Sequence, residues 1–288
     1  MKFLPHSKIQ NLKWNNMIFN QYIEKQINLL KVNPQIKEII KYALVSNGKL
    51  IRPRLFLSFF DKKEQYYDIA LAIESIHVFS LIHDDLPALD NDDYRRGRLT
   101  IHKMFDEPSA ILIGDALLNY AYELIANSEM NSEKKIKLIQ IISQKTGVNK
   151  GMIHGQFLDI YNITTNIDEL KTCYYEKTGA LLSACMLMAN IILEEYDHEK
   201  LEELAYKIGL LYQIQDDYLD YYAKFEQIGK KNGSDIKNNK ITYINFYKKE
   251  ELENLMEKLK NEIINYVFEL KLKKETKELI EEILVRKK

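Results

Sequence analysis

Glycine and proline are scarce, at 10 and 5 in 288 residues. All-β sandwiches and doubly wound α/β sheets use these residues at most of their tight reversals, so the shortage favours long helices with short connections. Cysteine is scarcer still. Cys173 and Cys185 fall on one predicted helix, about 18 Å apart at the helical rise, too far for a disulfide. Two reduced thiols suit a cytoplasmic protein. Charge of one sign is missing too: 41 basic and 42 acidic side chains leave a net charge of -1, so no long-range field gathers a nucleic-acid backbone. The longest apolar run, Ala180 to Leu193, falls short of the ~20 residues that a bilayer span needs. The opening MKFLPHSKIQN has no apolar signal-peptide core. What is present, 46% hydrophobic and 29% charged, is ordinary for a folded soluble domain. Length alone allows one large domain or two small ones; with no linker and no internal repeat, a single all-α domain over 1–288 is expected.

Helical periodicity dominates. It predicts helices over Trp14 to Leu30, Ile69 to Leu86, Pro108 to Ala126, Lys134 to Lys145, Asp168 to Glu194, Lys200 to Tyr222 and Glu250 to Leu270. The last shows the pattern most plainly, with Leu252, Leu255, Leu259, Ile263, Val267 and Leu270 on one stripe. Two stretches interrupt the helices with glycine, proline and charge, Pro87 to Gly97 and Gly229 to Lys240.

The helix from Ile69 is apolar nearly all round, and such a helix is buried. Yet Glu74, His77, Ser80 and Asp84 recur along it at spacings of three, three and four, which puts them on one stripe. Buried polar groups without partners cost on the order of 1–3 kcal/mol each, so the stripe faces a wet cavity, a ligand or an internal polar network. It runs into DDLPALDNDD, five aspartates in ten residues. Either these splay into solvent or cations hold them together. In an unbroken helix Asp84 and Asp90 point about 120° apart; Pro87 interrupts the ladder, and a kink there brings Asp90 round beside Asp84. A second apolar helix carries Gln213, Asp216, Asp217 and Asp220, with Gln213, Asp216 and Asp220 on one face. Oxygen-only ligands without a Cys or a His pair favour Mg²⁺ over zinc. Cations able to meet phosphates lie nearby in sequence: Lys49 and Arg52, Arg95 and Arg96, and Lys230, Lys231 and Lys240.

With GKLIRP (Gly48 to Pro53), SLIHDDLPALDNDDYRRG (Ser80 to Gly97), GDALL (Gly114 to Leu118), GQFLD (Gly155 to Asp159), EKTGALL (Glu176 to Leu182) and YQIQDDYLD (Tyr212 to Asp220), then GKKNGSD and NNKITY, the chain resembles the trans-prenyltransferases, the short-chain isoprenyl diphosphate synthases. The resemblance covers roughly Tyr42 to Tyr247 and leaves the ends without a diagnostic residue. It implies the isoprenoid synthase fold, antiparallel helices around a central cavity, usually as a homodimer. The implied reaction joins isopentenyl diphosphate head-to-tail to an allylic diphosphate and releases pyrophosphate. By matched position, Asp84, Asp90 and Asp216 bind about three Mg²⁺ ions, with Asp85, Asp217 and Asp220 in support. Arg95, Lys177, Lys230 and Lys240 hold the allylic diphosphate; Lys49, Arg52, His77 and Arg96 hold isopentenyl diphosphate. The Lys177 carbonyl, the Thr178 hydroxyl and Gln213 face the allylic cation. The pattern is broken at Asn47, Leu99 and Asn239, but no metal or arginine position is lost, which argues against a non-catalytic regulatory subunit. An aromatic at Phe79 and the Pro87–Ala88 widening of the acidic motif resemble the bacterial farnesyl diphosphate synthases, so a C15 product is expected ahead of C20. A terpene cyclase has no use for the Lys49/Arg52/His77 set, and a helical scaffold would use the Glu250 to Leu270 stripe as a partner surface.

Overall fold

The computed structural model describes residues 16–45, 48–223 and 241–285. Lys230, Lys231 and Lys240, together with Asn47 and Asn239, lie outside them. Among the described residues nearly all regular structure is helical, and the one sheet is two-stranded. The chain divides into two compact units, Met1–Lys135 and Ile136–Lys288.

The first unit holds α1 (Asn16–Leu29), α2 (Pro34–Leu44), α3 (Ile51–Leu57), α4 (Tyr67–Asp84), the short α5 (Ile101–Met104) and α6 (Glu107–Asn127). Caps set two of the starts. Asn33 accepts the Gln35 amide at 2.8 Å with Pro34 in the first turn, and Asp106 accepts the Ser109 amide at 2.6 Å ahead of Pro108. α4 is the centre of this unit. Every residue from Ile69 to Phe79 is buried, as the all-round apolar sequence requires, and each fully buried Ile or Leu adds roughly 1.5–3 kcal/mol. α6 and α3 pack along it.

The second unit follows with α7 (Ser132–Thr146, which begins just before its boundary), α8 (Met152–Ile160), α9 (Ile167–Tyr174), α10 (Ala180–Leu193), α11 (His198–Tyr218), α12 (Lys249–Glu269) and α13 (Lys274–Leu284). α11 is its axis, packed against α10, α12 and α13. The Gln215 amide reaches the Leu284 carbonyl at 3.0 Å, which fastens the last helix to this axis. The predicted α12 stripe is core: Leu252, Leu259, Ile263, Val267 and Leu270 are buried. Cys173 and Cys185 are buried thiols.

Three features depart from the periodicity. The helix expected over Asp168 to Glu194 is interrupted by a π turn at Tyr175–Gly179, and the one expected over Lys200 to Tyr222 ends in another at Leu219–Ala223. Hydrophobic spacing does not register one extra residue in the ladder. The third is a hairpin inside the Pro87 to Gly97 stretch, β1 (Tyr94–Arg95) against β2 (Arg98–Leu99). Counted through its π turn, the Ile167–Leu193 stretch is long and apolar enough to cross a membrane, as is Glu107–Asn127. In the first, 78% of the apolar window is buried within the protein, as expected of a core helix.

Candidate active site

The acidic run turns back on itself at the end of α4. The Asp90 amide donates to the Asp84 carbonyl at 2.9 Å, and the Leu89 and Asn91 amides both return to the Leu86 carbonyl, at 2.9 and 3.1 Å. The ladder thus breaks around Pro87, and Asp90 comes round to the main chain of Asp84, as the proline position implies. Asp84 is half-buried and Asp90 exposed. Basic side chains meet the run at three places: Asp85 meets Arg95 at 2.5 Å, Asp92 meets Arg95 at 3.5 Å, and Asp93 meets Lys103 at 2.9 Å. Burial pushes the Asp85 carboxyl above its usual range, against the pull of Arg95. Charge pairing, rather than mutual repulsion, therefore shapes this loop.

The hairpin displays its three arginines in different directions. Its two-residue loop, Arg96-Gly97, has both φ angles positive, at 53° and 76°, the signature of the primed turn that matches strand twist. Glycine adopts this without strain, whereas Arg96 does so at a steric cost. Arg95 turns to Asp85, and Arg98 lies 3.8 Å over the Tyr42 ring. Arg96 reaches His77 Nε2 at 3.3 Å, where Arg52 Nη1 also arrives at 3.1 Å. Guanidinium groups only donate, so Nε2 accepts from both, and His77 is a neutral ring with its proton on Nδ1. Burial and the neighbouring arginines hold its pKa well below the ordinary histidine value.

Arg52 sits in the first turn of α3, whose cap residue Leu50 has φ 48°, a strained left-handed conformation for a branched side chain. Lys49 just before it is exposed. One turn back on α4, Glu74 is fully buried, its Oε2 without a hydrogen-bond partner among the described residues. Burial pushes its carboxyl up to about 7, while Arg52 and Arg96 pull it down. Of the predicted polar stripe, Ser80 spends its hydroxyl on the His77 carbonyl at 2.9 Å. Glu74 and His77 converge with Arg52 and Arg96 on a doubly cationic cluster suited to an anion with several oxygens.

In the second unit the functional candidates gather at the π turn. Lys177 Nζ meets Asp159 at 2.6 Å, Glu176 meets His154 at 2.5 Å, and Lys145 reaches both the Tyr175 hydroxyl, at 3.0 Å, and Glu202. Thr178 is buried. α8 lies so close that a Cβ at Gly155 would fall 2.2 Å from the Lys177 amide nitrogen, which accounts for the glycine of GQFLD. Gln213 and Asp216 are half-buried on α11, and Asp220 follows in the second π turn. Asp217 is buried, accepting the Tyr174 hydroxyl at 2.6 Å and the Tyr243 amide at 2.9 Å. Asp159, His154, Lys145 and Tyr174 are not among the predicted site residues; each is the partner of a residue in or directly before the EKTG motif, or of Asp217, and partnership across elements has no local sequence signal.

Among the described residues no three His, Cys, Asp or Glu side chains form a group able to hold a metal alone. The donors of the Asp84–Asp90 turn and of α11 are nevertheless all hard oxygens, which suits Mg²⁺ that keeps positions open for phosphate.

The family model described as Polyprenyl synthetase matches residues 33–283. The farnesyl diphosphate synthase of Micrococcus luteus is 43% identical over 246 residues, covering 82% of this chain and 84% of that protein. The geranylgeranyl diphosphate synthase of Cyanophora paradoxa is 39% identical over 80% of this chain and 82% of its own. Among solved structures, the geranyltransferase of Helicobacter pylori complexed with magnesium and isoprenyl diphosphate is 32% identical, with a TM-score of 0.77 over 93% of this chain and 94% of that one.

Proposed function

This chain belongs to the polyprenyl synthetase family, and we propose that within it the protein is a farnesyl diphosphate synthase. In this reading it joins isopentenyl diphosphate to dimethylallyl or geranyl diphosphate and releases pyrophosphate. Its helices form the isoprenoid synthase fold. The observation that carries the reading is the pairing, within one unit, of two phosphate-handling sets of opposite character. Arg52, neutral His77 and Arg96 form a cationic cluster; the Asp84–Asp90 turn offers oxygen ligands at the end of the same helix. A cyclase handling one diphosphate has no use for the first set.

Asp84, Asp90 and Asp216 would hold Mg²⁺, with Asp85, Asp217 and Asp220 in support. When bound, the ions neutralise charge on the departing pyrophosphate, the group whose stabilisation limits ionisation of an allylic C–O bond. Lys177, Arg95, Lys230 and Lys240 share that task as point charges and hydrogen-bond donors. Arg52, Arg96 and Lys49 grip the isopentenyl diphosphate, and His77, kept neutral, accepts from the arginines and aims them without adding charge. The Thr178 hydroxyl, the Lys177 carbonyl and Gln213 present dipoles to the allylic cation. Buried apolar walls keep out the water that would quench it. Phe79, 6% exposed and edge-on to the His83 ring at 5.3 Å, sets the depth available to the growing chain. A homodimer and about three Mg²⁺ ions, both supported by the family resemblance, and a cytoplasmic location complete the proposal.

The test is the purified protein with Mg²⁺, isopentenyl diphosphate and each allylic starter in turn, products sized by mass. A C15 product abolished by EDTA is expected. A C20 product would favour the second reading, a geranylgeranyl diphosphate synthase like the Cyanophora relative. No product from any starter would favour a non-catalytic helical protein.

A further inference from the structure

Asp217 is bonded in two directions at once. It is buried on α11, and the same oxygen, Oδ2, accepts the Tyr174 hydroxyl at 2.6 Å and the Tyr243 main-chain amide at 2.9 Å. Tyr174 is the last residue of α9, directly ahead of the π turn that carries Lys177 and Thr178. Tyr243 opens a 3-10 turn, Tyr243–Asn245, three residues after Lys240. The two tyrosine rings pack together with centroids 5.6 Å apart, Tyr243 stacks on Tyr247 at 5.8 Å, and Tyr243 has no exposed surface. Asn245 holds the turn from the other side by accepting the Thr242 amide at 2.7 Å, so slack at Tyr243 is not easily absorbed locally. Adjacent helical positions differ by ~100°. Asp216 and Asp217 therefore cannot serve one point equally, and Asp217 is the one bound to Tyr174 and to the Tyr243 main chain.

The geometry points to Asp217 as a positioning residue, which fixes the Lys177–Thr178 turn and the main chain at Tyr243 to the helix that carries Asp216. For its catalytic consequence the inference rests on the synthase reading; the tether itself does not. A carboxylate suits the post because one oxygen accepts a phenol and an amide together, and bonds to a charged acceptor are the stronger kind. Asparagine keeps that acceptor, whereas alanine removes it.

The experiment follows amide hydrogen exchange at Tyr243 together with steady-state turnover, in wild type, Asp217→Asn, Asp217→Ala and Tyr174→Phe. Losing a charge-assisted bond of this kind corresponds to roughly 10- to 100-fold. Asp217→Ala should therefore speed Tyr243 exchange and lower kcat by about that factor, and Asp217→Asn should recover most of both. Tyr174→Phe, the variant least able to disturb folding, should lower kcat by less than about tenfold, the range of one neutral hydrogen bond, while KM for both substrates and Tyr243 protection stay near wild type. Unchanged Tyr243 exchange in Asp217→Ala overturns the tether. Asp217→Asn as inactive as Asp217→Ala, with its Tyr243 amide still protected, overturns the positioning role in favour of a direct need for the charge. Product from the wild type is read first: its absence overturns the synthase reading, whereas the tether stands or falls on the Tyr243 amide.

Discussion

Each unit carries a pair of consecutive aspartates, and the two members of each pair live in different surroundings. In the first, Asp84 is half-buried at the end of α4 while Asp85 is buried against Arg95. In the second, Asp216 is half-buried on α11 while Asp217 is buried against Tyr174 and the Tyr243 amide. One step along a helix turns a side chain by ~100°, enough to take it from an open face into the packing. The pairs differ in what the inner member holds. Asp85 holds a charge, Arg95, which also reaches Asp92 and so neutralises a crowded acidic loop. Asp217 accepts a phenol and a main-chain amide and joins three stretches of chain. In the proposed reading each acidic motif is two devices, an outer carboxylate for Mg²⁺ and an inner one that fixes the frame.

The hardest way to break this comparison is at an outer position. Asp84→Asn should lower turnover at saturating substrates by about 10³-fold or more, the scale on which removing a principal electrostatic stabiliser acts; product formation over time checks it. Less severe is Arg52→Ala, which removes one of two guanidinium groups from His77. It should raise KM for isopentenyl diphosphate by roughly 10- to 100-fold with a much smaller change in KM for the allylic substrate, read from initial rates. At the inner position of the same pair, Asp85→Asn keeps the shape but leaves Arg95 only its longer contact to Asp92. A loss of about 1–3 kcal/mol is expected, seen as a Tm lower by several degrees.

The last effect is sharpened by pH. Glu74 is pushed up to about 7 from an ordinary 4.5. Between those values the folded chain keeps a proton that the unfolded chain has released, so this group withdraws stability as pH rises through the window and changes little above it. Glu74→Gln should therefore gain stability over wild type progressively from pH 4.5 to about 7 and then level off. The gain, on the order of 3 kcal/mol at most, is measured by urea unfolding at several pH values; a difference independent of pH would contradict the assignment.

Much of this was legible in the sequence. The α4 pattern placed a buried helix with a polar stripe, and Pro87 correctly implied the turn that returns Asp90 to the main chain of Asp84. The α12 stripe proved to be core. What stayed hidden depends on geometry that periodicity does not encode. The π turn at Tyr175–Gly179 adds one residue inside an otherwise helical run, and the Arg96-Gly97 hairpin is too short for an alternating pattern. Asp159, Lys145 and Tyr174 stand 18, 57 and 43 residues from their partners Lys177, Glu202 and Asp217. Ser80 belonged to the stripe by spacing and left it by bonding the His77 carbonyl, an option open to any helical serine.

The division of labour within the two pairs is tested most directly by the Mg²⁺ concentration that gives half-maximal condensation, measured in Asp84→Asn, Asp85→Asn, Asp216→Asn and Asp217→Asn. The account predicts that the requirement rises by roughly tenfold or more at Asp84 and Asp216, as expected when a metal ligand is lost, and by much less at Asp85 and Asp217. An equal rise at all four, or a larger one at the inner positions, would contradict it.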